Sequence, residues 1–151
     1  MKIKKTSASV NPNQYLKMLK NVVWPAVSSS ATRKKYWFMQ DGARPHTTND
    51  CLTFLNEKFN NRVISDRLDL FWPPKSPDLN PLDFSIWGQA DNAVFKAQPS
   101  TIDELKRVVQ NFLNTMSKED LFRVTANFDK RAAFCLKLNG GHIEQILKKK
   151  K

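Results

Sequence analysis

The sequence predicts an α/β protein, with a small sheet of two to three strands and five to six helices, on three observations. An apolar, aromatic run at Tyr36-Trp37-Phe38-Met39-Gln40 is closed by Asp41-Gly42. A proline-dense stretch from Phe71 to Gly88 ends in a helix start, and beyond it apolar residues recur at helical spacing. A chain of 151 residues suits one domain around a single core, and 40% apolar content with ten Phe and four Trp argues for a folded body.

Taken in order, Met1 to Val10 is polar and basic, a frayed end or the remnant of one strand. Asn13 can cap a helix with Tyr15, Leu16, Leu19, Val22 and Val23 on its apolar side, ending near Trp24-Pro25. Ser28 to Lys35 is a polar loop whose three basic residues read as a solvated face. The run at Tyr36 then reads as a buried strand. Thr47 or Thr48 caps the next helix, which carries Cys51, Leu52, Phe54, Leu55 and Phe59 inward. Arg62-Val63-Ile64-Ser65 is a short strand candidate.

Pro73, Pro74, Pro77 and Pro81 restrict φ and remove four amide donors, so this segment is a stiff loop. Asn80 suits the N-cap, Pro81 the first helical position, and Leu82, Ile86 and Trp87 give the helix an apolar stripe. Further on, Ser100-Thr101 before Asp103-Glu104 forms a capping-box pattern. Ser117 opens another helix through Val124, and a last one runs from about Phe128 to Leu138 and stops at Asn139-Gly140-Gly141. Lys148 to Lys151 form a basic tail, read mainly as solubilising charge.

The chemistry centres on two acids. Asp41 closes a strand, and sites in open α/β sheets form outside the carboxyl ends of strands. Asp83 falls in the first turn of its helix, where the helix dipole keeps a carboxylate ionised. That dipole alone explains many first-turn aspartates. Paired with Asp41, Asp83 instead forms part of a magnesium site for phosphoryl transfer, because hard divalent cations prefer oxygen ligands.

Gln40-Asp41-Gly42-Ala43-Arg44-Pro45-His46-Thr47, followed by Trp72-Pro73-Pro74-Lys75-Ser76-Pro77-Asp78-Leu79-Asn80-Pro81-Leu82-Asp83, resembles the catalytic domain of Tc1/mariner-type transposases over roughly Tyr15 to Lys137. The resemblance implies a partial RNase H-like fold of the DDE/D transposase and integrase type, with a truncated sheet. It also implies a metal-binding Asp, Asp, Asp/Glu triad using Mg²⁺ or Mn²⁺. Asp41 matches the second acid and Asp83 the third. Residues 42–82, 41 in number, separate them, several more than in the commonest branch. None of the forty residues before Asp41 is Asp or Glu, so the first acid has no candidate there. The expected reading is a carboxyl-terminal portion of a transposase, spanning 1–147, with DNA strand cleavage and transfer as its inheritance and little or no catalysis alone. With only two or three strands, low stability or self-association is also expected.

Arg44 and Lys75 are candidate phosphate contacts and His46 a candidate hydrogen-bond donor near the cleavage site; His46 could equally help cap the helix at Thr47. Trp72 and Trp87 read as core residues. Asp78 reads as a brace for the loop, and Asp66, Asp69 and Asp91 as acids without a strand end beside them. Net charge is +11 and pI about 9.8, which favours DNA as partner: transposon ends or a target. A transposase homo-oligomer or a fuller transposase chain is the other expected partner, and no membrane. Cys51 and Cys135 suggest neither a disulfide framework nor a zinc site. The nucleus, or the cytoplasm, is the expected compartment. Two alternatives remain: a non-catalytic DNA-binding or transposase-interacting module, and a decayed remnant.

Overall fold

The computed structural model describes residues 9–141 and residue 143, which fall into two compact units, one ending at Lys75 and the other beginning at Ser76. The strand expected near the amino terminus falls almost wholly in residues 1–8. That segment and the lysine tail at 148–151 lie outside the described residues.

The first unit opens with α1 (Pro12–Met18), capped by Asn11 and not Asn13. Asn11 Oδ1 accepts from Gln14 N–H at 2.9 Å, and Gln14 Oε1 accepts from Asn11 N–H at 3.0 Å. The helix does not stop at Pro25. It widens into a π-helical turn at Leu19–Val23 and resumes as α2 (Trp24–Ser28). Proline lacks the amide that a regular helix requires and its ring crowds the preceding turn. Placed at the start of α2, just after the widened turn, it is tolerated.

The strand expected at Tyr36–Gln40 shrinks to β1 (Phe38–Met39), which pairs in parallel with β2 (Val63–Ile64) in the register Phe38 to Val63 and Met39 to Ile64. Tyr36 and Trp37 are exposed, so the run is aromatic without being buried throughout. Between the strands, α3 (Asn49–Phe59) follows Thr48 and buries Cys51, Leu52, Leu55 and Phe59. Asn60, in the left-handed region at φ 52°, ends it. Tyr15, Leu19, Cys51, Leu55, Phe59 and Val63 make the core, flanked by Trp24, Phe38 and Phe54. Phe59 receives Trp24 edge-on and Phe38 at a tilt, at ring-centroid distances of 5.8 and 5.1 Å.

The second unit begins with a 3₁₀ turn at Pro77–Leu79 and a π-helical turn at Leu82–Ile86, which leads into α4 (Trp87–Ala97). Asn80 Oδ1 accepts from Leu82 N–H at 3.1 Å, as its capping role requires. The π turn alters the expected stripe. One extra residue in a turn rotates everything after it by roughly 100°. Ile86 and Ala90 are buried, whereas Leu82 and Trp87 are exposed; Trp72, in the first unit, is buried as expected. α5 (Ile102–Thr115) begins with the Thr101–Glu104 capping box and packs on α4. The two helices expected after Ser117 are one, α6 (Lys118–Lys137). No glycine or proline interrupts Val124 to Phe128, and Thr125 turns its hydroxyl back onto the Leu121 and Phe122 carbonyls instead of breaking the helix. Gly140, at φ 86°, ends it by donating its amide to Cys135 O.

Candidate functional site

Gln40 extends the β1 ladder by donating its amide to Ile64 O at 3.0 Å, and Asp41 follows directly at the carboxyl end of the strand. The buried Gln40 side chain fixes this end. Its Nε2 donates to Ser65 Oγ at 2.8 Å and to His46 O at 3.0 Å, and its Oε1 accepts from the Tyr15 hydroxyl at 2.7 Å. Both donor hydrogens and one acceptor position are therefore used, which removes most of the cost of burying an amide.

The loop after Asp41 folds back on it. His46 N–H donates to Ala43 O at 2.8 Å, and its imidazole rests on the Tyr15 ring with centroids 4.3 Å apart. His46 Nδ1 lies 2.6 Å from Asp41 Oδ1. An ionised carboxylate can only accept, so Nδ1 carries the proton and donates. Ala43 N–H also donates to Asp41 Oδ1, at 3.1 Å. Both contacts fall on Oδ1. Oδ2 has no hydrogen bond among the described residues, and the side chain is 44% exposed. His46 thus orients the acid and does not cap α3, whose N-cap is Thr48. Burial pushes the Tyr15 hydroxyl well above the ordinary tyrosine range, with electrostatic interactions with Cys51 and then Asp41 adding to it, so Tyr15 stays a neutral donor.

Asp66 is the residue that sequence reasoning passed over. β2 ends at Ile64, so Asp66 does stand at a strand end, correcting the expectation that it has no such context. Extended by two residues, the register sets Asp66 opposite Asp41. Its carboxylate lies against Gly42, where a Cβ would come within 3.6 Å of Asp66 Oδ2. The signal was available: each acid follows its strand by the same two-residue offset.

The remaining candidates are placed as follows. Arg44 is exposed in the loop between Asp41 and His46. Lys75 is exposed and holds a left-handed backbone, φ 55°. Asp83 is exposed in the first turn of its helical segment, in the unit that begins at Ser76, whereas Asp41 belongs to the unit ending at Lys75. Asp78 is buried, and its Oδ2 accepts from Ile143 N–H at 3.0 Å, a tie across 65 positions where a local Asx-type brace was expected. Among the described residues no group of three or more His, Cys, Asp or Glu side chains is placed to hold a metal, and no helix is long and apolar enough to cross a membrane.

No protein-family model and no curated protein matches the chain. The solved structure of the Mos1 transposase catalytic domain, determined with raltegravir and magnesium, matches with a TM-score of 0.77 at 21% identity, over 93% of this chain and 68% of that one. The fold is therefore similar to that of the Mos1 transposase catalytic domain, the kind of protein the paired motifs led us to expect. Mostly helical, with a two-stranded parallel sheet among the described residues, it keeps the strand whose end carries Asp41.

Proposed function

We propose that the chain is a Tc1/mariner-type transposase-derived domain that binds DNA, with Asp41 and Asp83 as two acids of a DDE/D metal site. The observation that carries this reading is the state of Asp41: one oxygen held by His46 and Ala43, the other open, at a strand end in a transposase fold. That is how a carboxylate awaiting a hard cation is best presented, since outer contacts fix its direction while one oxygen stays available. Asp83, in the first turn of its helical segment, is the second acid this reading assigns to the cation. A bound Mg²⁺ would supply Lewis acidity and an activated water for phosphodiester cleavage. Arg44 and Lys75 contact phosphates. Within these 151 residues no acid precedes Asp41, so two of three ligands are present and the chain by itself does not cut DNA. A nuclear compartment fits this reading, with the cytoplasm as the alternative.

Mn²⁺ titration tests the metal site. Asp41→Asn and Asp83→Asn should each weaken binding by about tenfold or more, and unchanged affinity in either would refute the pairing. With labelled DNA and Mg²⁺ or Mn²⁺, nicking should not exceed that of an Asp41→Ala control.

The net charge of +11 favours a second reading, a module that binds DNA or a transposase partner without chemistry. Salt-sensitive DNA retention that survives both Asp→Ala changes, with no Mn²⁺ affinity, would select it.

A further inference from the structure

The amino ends of β1 and β2 carry a basic and aromatic surface, at the opposite end of the sheet from Asp41 and within the unit that ends at Lys75. Extended back by one residue, the register sets Trp37 opposite Arg62, and Phe38 N–H donates to Arg62 O at 3.0 Å. Phe38 and Val63 face the core, so side-chain alternation puts Trp37 and Arg62 together on the other face of the sheet. Immediately before them, a 3₁₀ turn at Arg33–Lys35 presents three exposed cations.

Local hydrogen bonds fix this surface. The Tyr36 hydroxyl, between turn and strand, lies 2.9 Å from both Ser30 Oγ and Thr32 Oγ1, which ties the turn to the start of the strand. Arg62 Nε donates to Tyr36 O at 3.2 Å, so this guanidinium is held beside the turn, and its Nη atoms make no hydrogen bond among the described residues. The Trp37 side chain is 54% exposed and makes no ring contact or hydrogen bond among the described residues. None of Arg33, Lys34, Lys35 and Arg62 forms an ion pair with a carboxylate among the described residues, and no Asp or Glu precedes Asp41 in the chain.

We propose that this surface holds an unpaired DNA strand, one base stacked on Trp37 and the flanking phosphates paired with Arg62 and the Arg33–Lys35 turn. The basic run alone reads as a solvated face; the fold adds to it a cation from the neighbouring strand and an exposed indole. A duplex would engage the cations and leave the indole idle, because its bases are stacked inside. An apolar partner would cover the indole but desolvate the cations without pairing them. Basic surfaces with aromatic platforms are the recognition chemistry of single strands, whose bases are free to stack. The proposal rests on the reading of DNA as partner and adds which form of DNA, and where. Trp37 and Asp41 alternate onto the same side of their strand, roughly 13 Å apart at the usual rise per residue, so the held strand lies a few nucleotides from that acid.

Fluorescence anisotropy with a labelled eight-residue oligo(dT) and a matched duplex decides it. Trp37→Ala should weaken single-strand binding roughly tenfold and leave duplex binding unchanged. Trp37→Phe, which keeps a stacking face, should retain most of it. Lys35→Ala and Arg62→Ala should each flatten the salt dependence of single-strand binding by roughly 0.7 in log–log slope. Phe95→Ala, more exposed than Trp37 but in the other unit, should change nothing. Circular dichroism checks that each variant is folded. Duplex binding combined with single-strand affinity indifferent to Trp37→Ala, Lys35→Ala and Arg62→Ala would overturn this surface alone. Equal weakening on both DNA forms by Trp37→Ala would also overturn it. So would cosedimentation with phosphatidylserine vesicles that needs Trp37 when single-strand binding does not. A wild-type chain that binds neither form would overturn the DNA reading and the surface together.

Discussion

Tyr15 and His46 are 31 positions apart and Gln40 lies between them, yet the three side chains act as one support for Asp41. Tyr15→Phe keeps the ring under His46 but leaves Gln40 Oε1 without its donor. An unsatisfied buried acceptor costs roughly 1–3 kcal/mol, so the midpoint of denaturant unfolding should fall accordingly. The pH dependence has a definite sign. Tyr15 is raised above the ordinary value in the folded state, so its protonated form stabilises the fold fully below about pH 10 and that stabilisation is lost as pH rises beyond it. The stability gap between wild type and Tyr15→Phe should therefore narrow above about pH 10; a gap constant to pH 11 would contradict it. Lys75 illustrates local strain. A left-handed backbone disfavours any residue with a Cβ, so Lys75→Gly should gain about 1 kcal/mol in stability while removing a candidate phosphate contact. Stability and DNA affinity would then move in opposite directions.

Among the elements, α3 and α5 are held in different ways. α3 is held by its buried face, where Leu55 is fully enclosed, and Leu55→Ala should cost about 3 kcal/mol through lost transfer and cavity terms. α5 has no buried residue and relies more on its ends. Its capping box contributes through Thr101, and Thr101→Ala should cost about 1 kcal/mol, read as faster amide exchange in the first turn of α5. The two π-helical turns serve different ends. At Leu19–Val23 the wide turn precedes a proline; at Leu82–Ile86 it sets the face on which Asp83 and Phe84 emerge.

Over the whole molecule, burial is unevenly distributed. The unit ending at Lys75 has a continuous core of aromatic and aliphatic side chains. In the unit from Ser76, α5 and α6 contribute no fully buried residue, and Phe95, Phe122 and Leu136 are each more than 70% exposed. Apolar contact, more than helix propensity, sets how long a helix stays closed in a protein. Amides of α3 should thus exchange more slowly than those of α5 and α6 in the same sample; the reverse order would contradict this account. The basic balance acts over the same scale, so any DNA retention should fall steeply between 50 and 200 mM salt, a range over which several phosphate contacts are lost to counterions.

Local chain chemistry wrote the positions of Asp41, after a strand, and Asp83, at a helix start, into the sequence. An aromatic run halted by Asp41-Gly42, and Asn80-Pro81 before Asp83, act through neighbours three or four positions away, as do the caps at Thr101 and Ser117. Those signals survive in any reading of the chain in order. Only the tertiary structure set Asp66 against Gly42, beside Asp41, brought Tyr15 and His46 onto the acid's support, and joined Arg131 to the Asp78 turn. These pairs are separated by as many as 53 positions, and contacts between residues so distant leave no periodicity behind. The length of β1 was likewise decided in three dimensions, because a strand extends only as far as its partner, and β2 offers two residues.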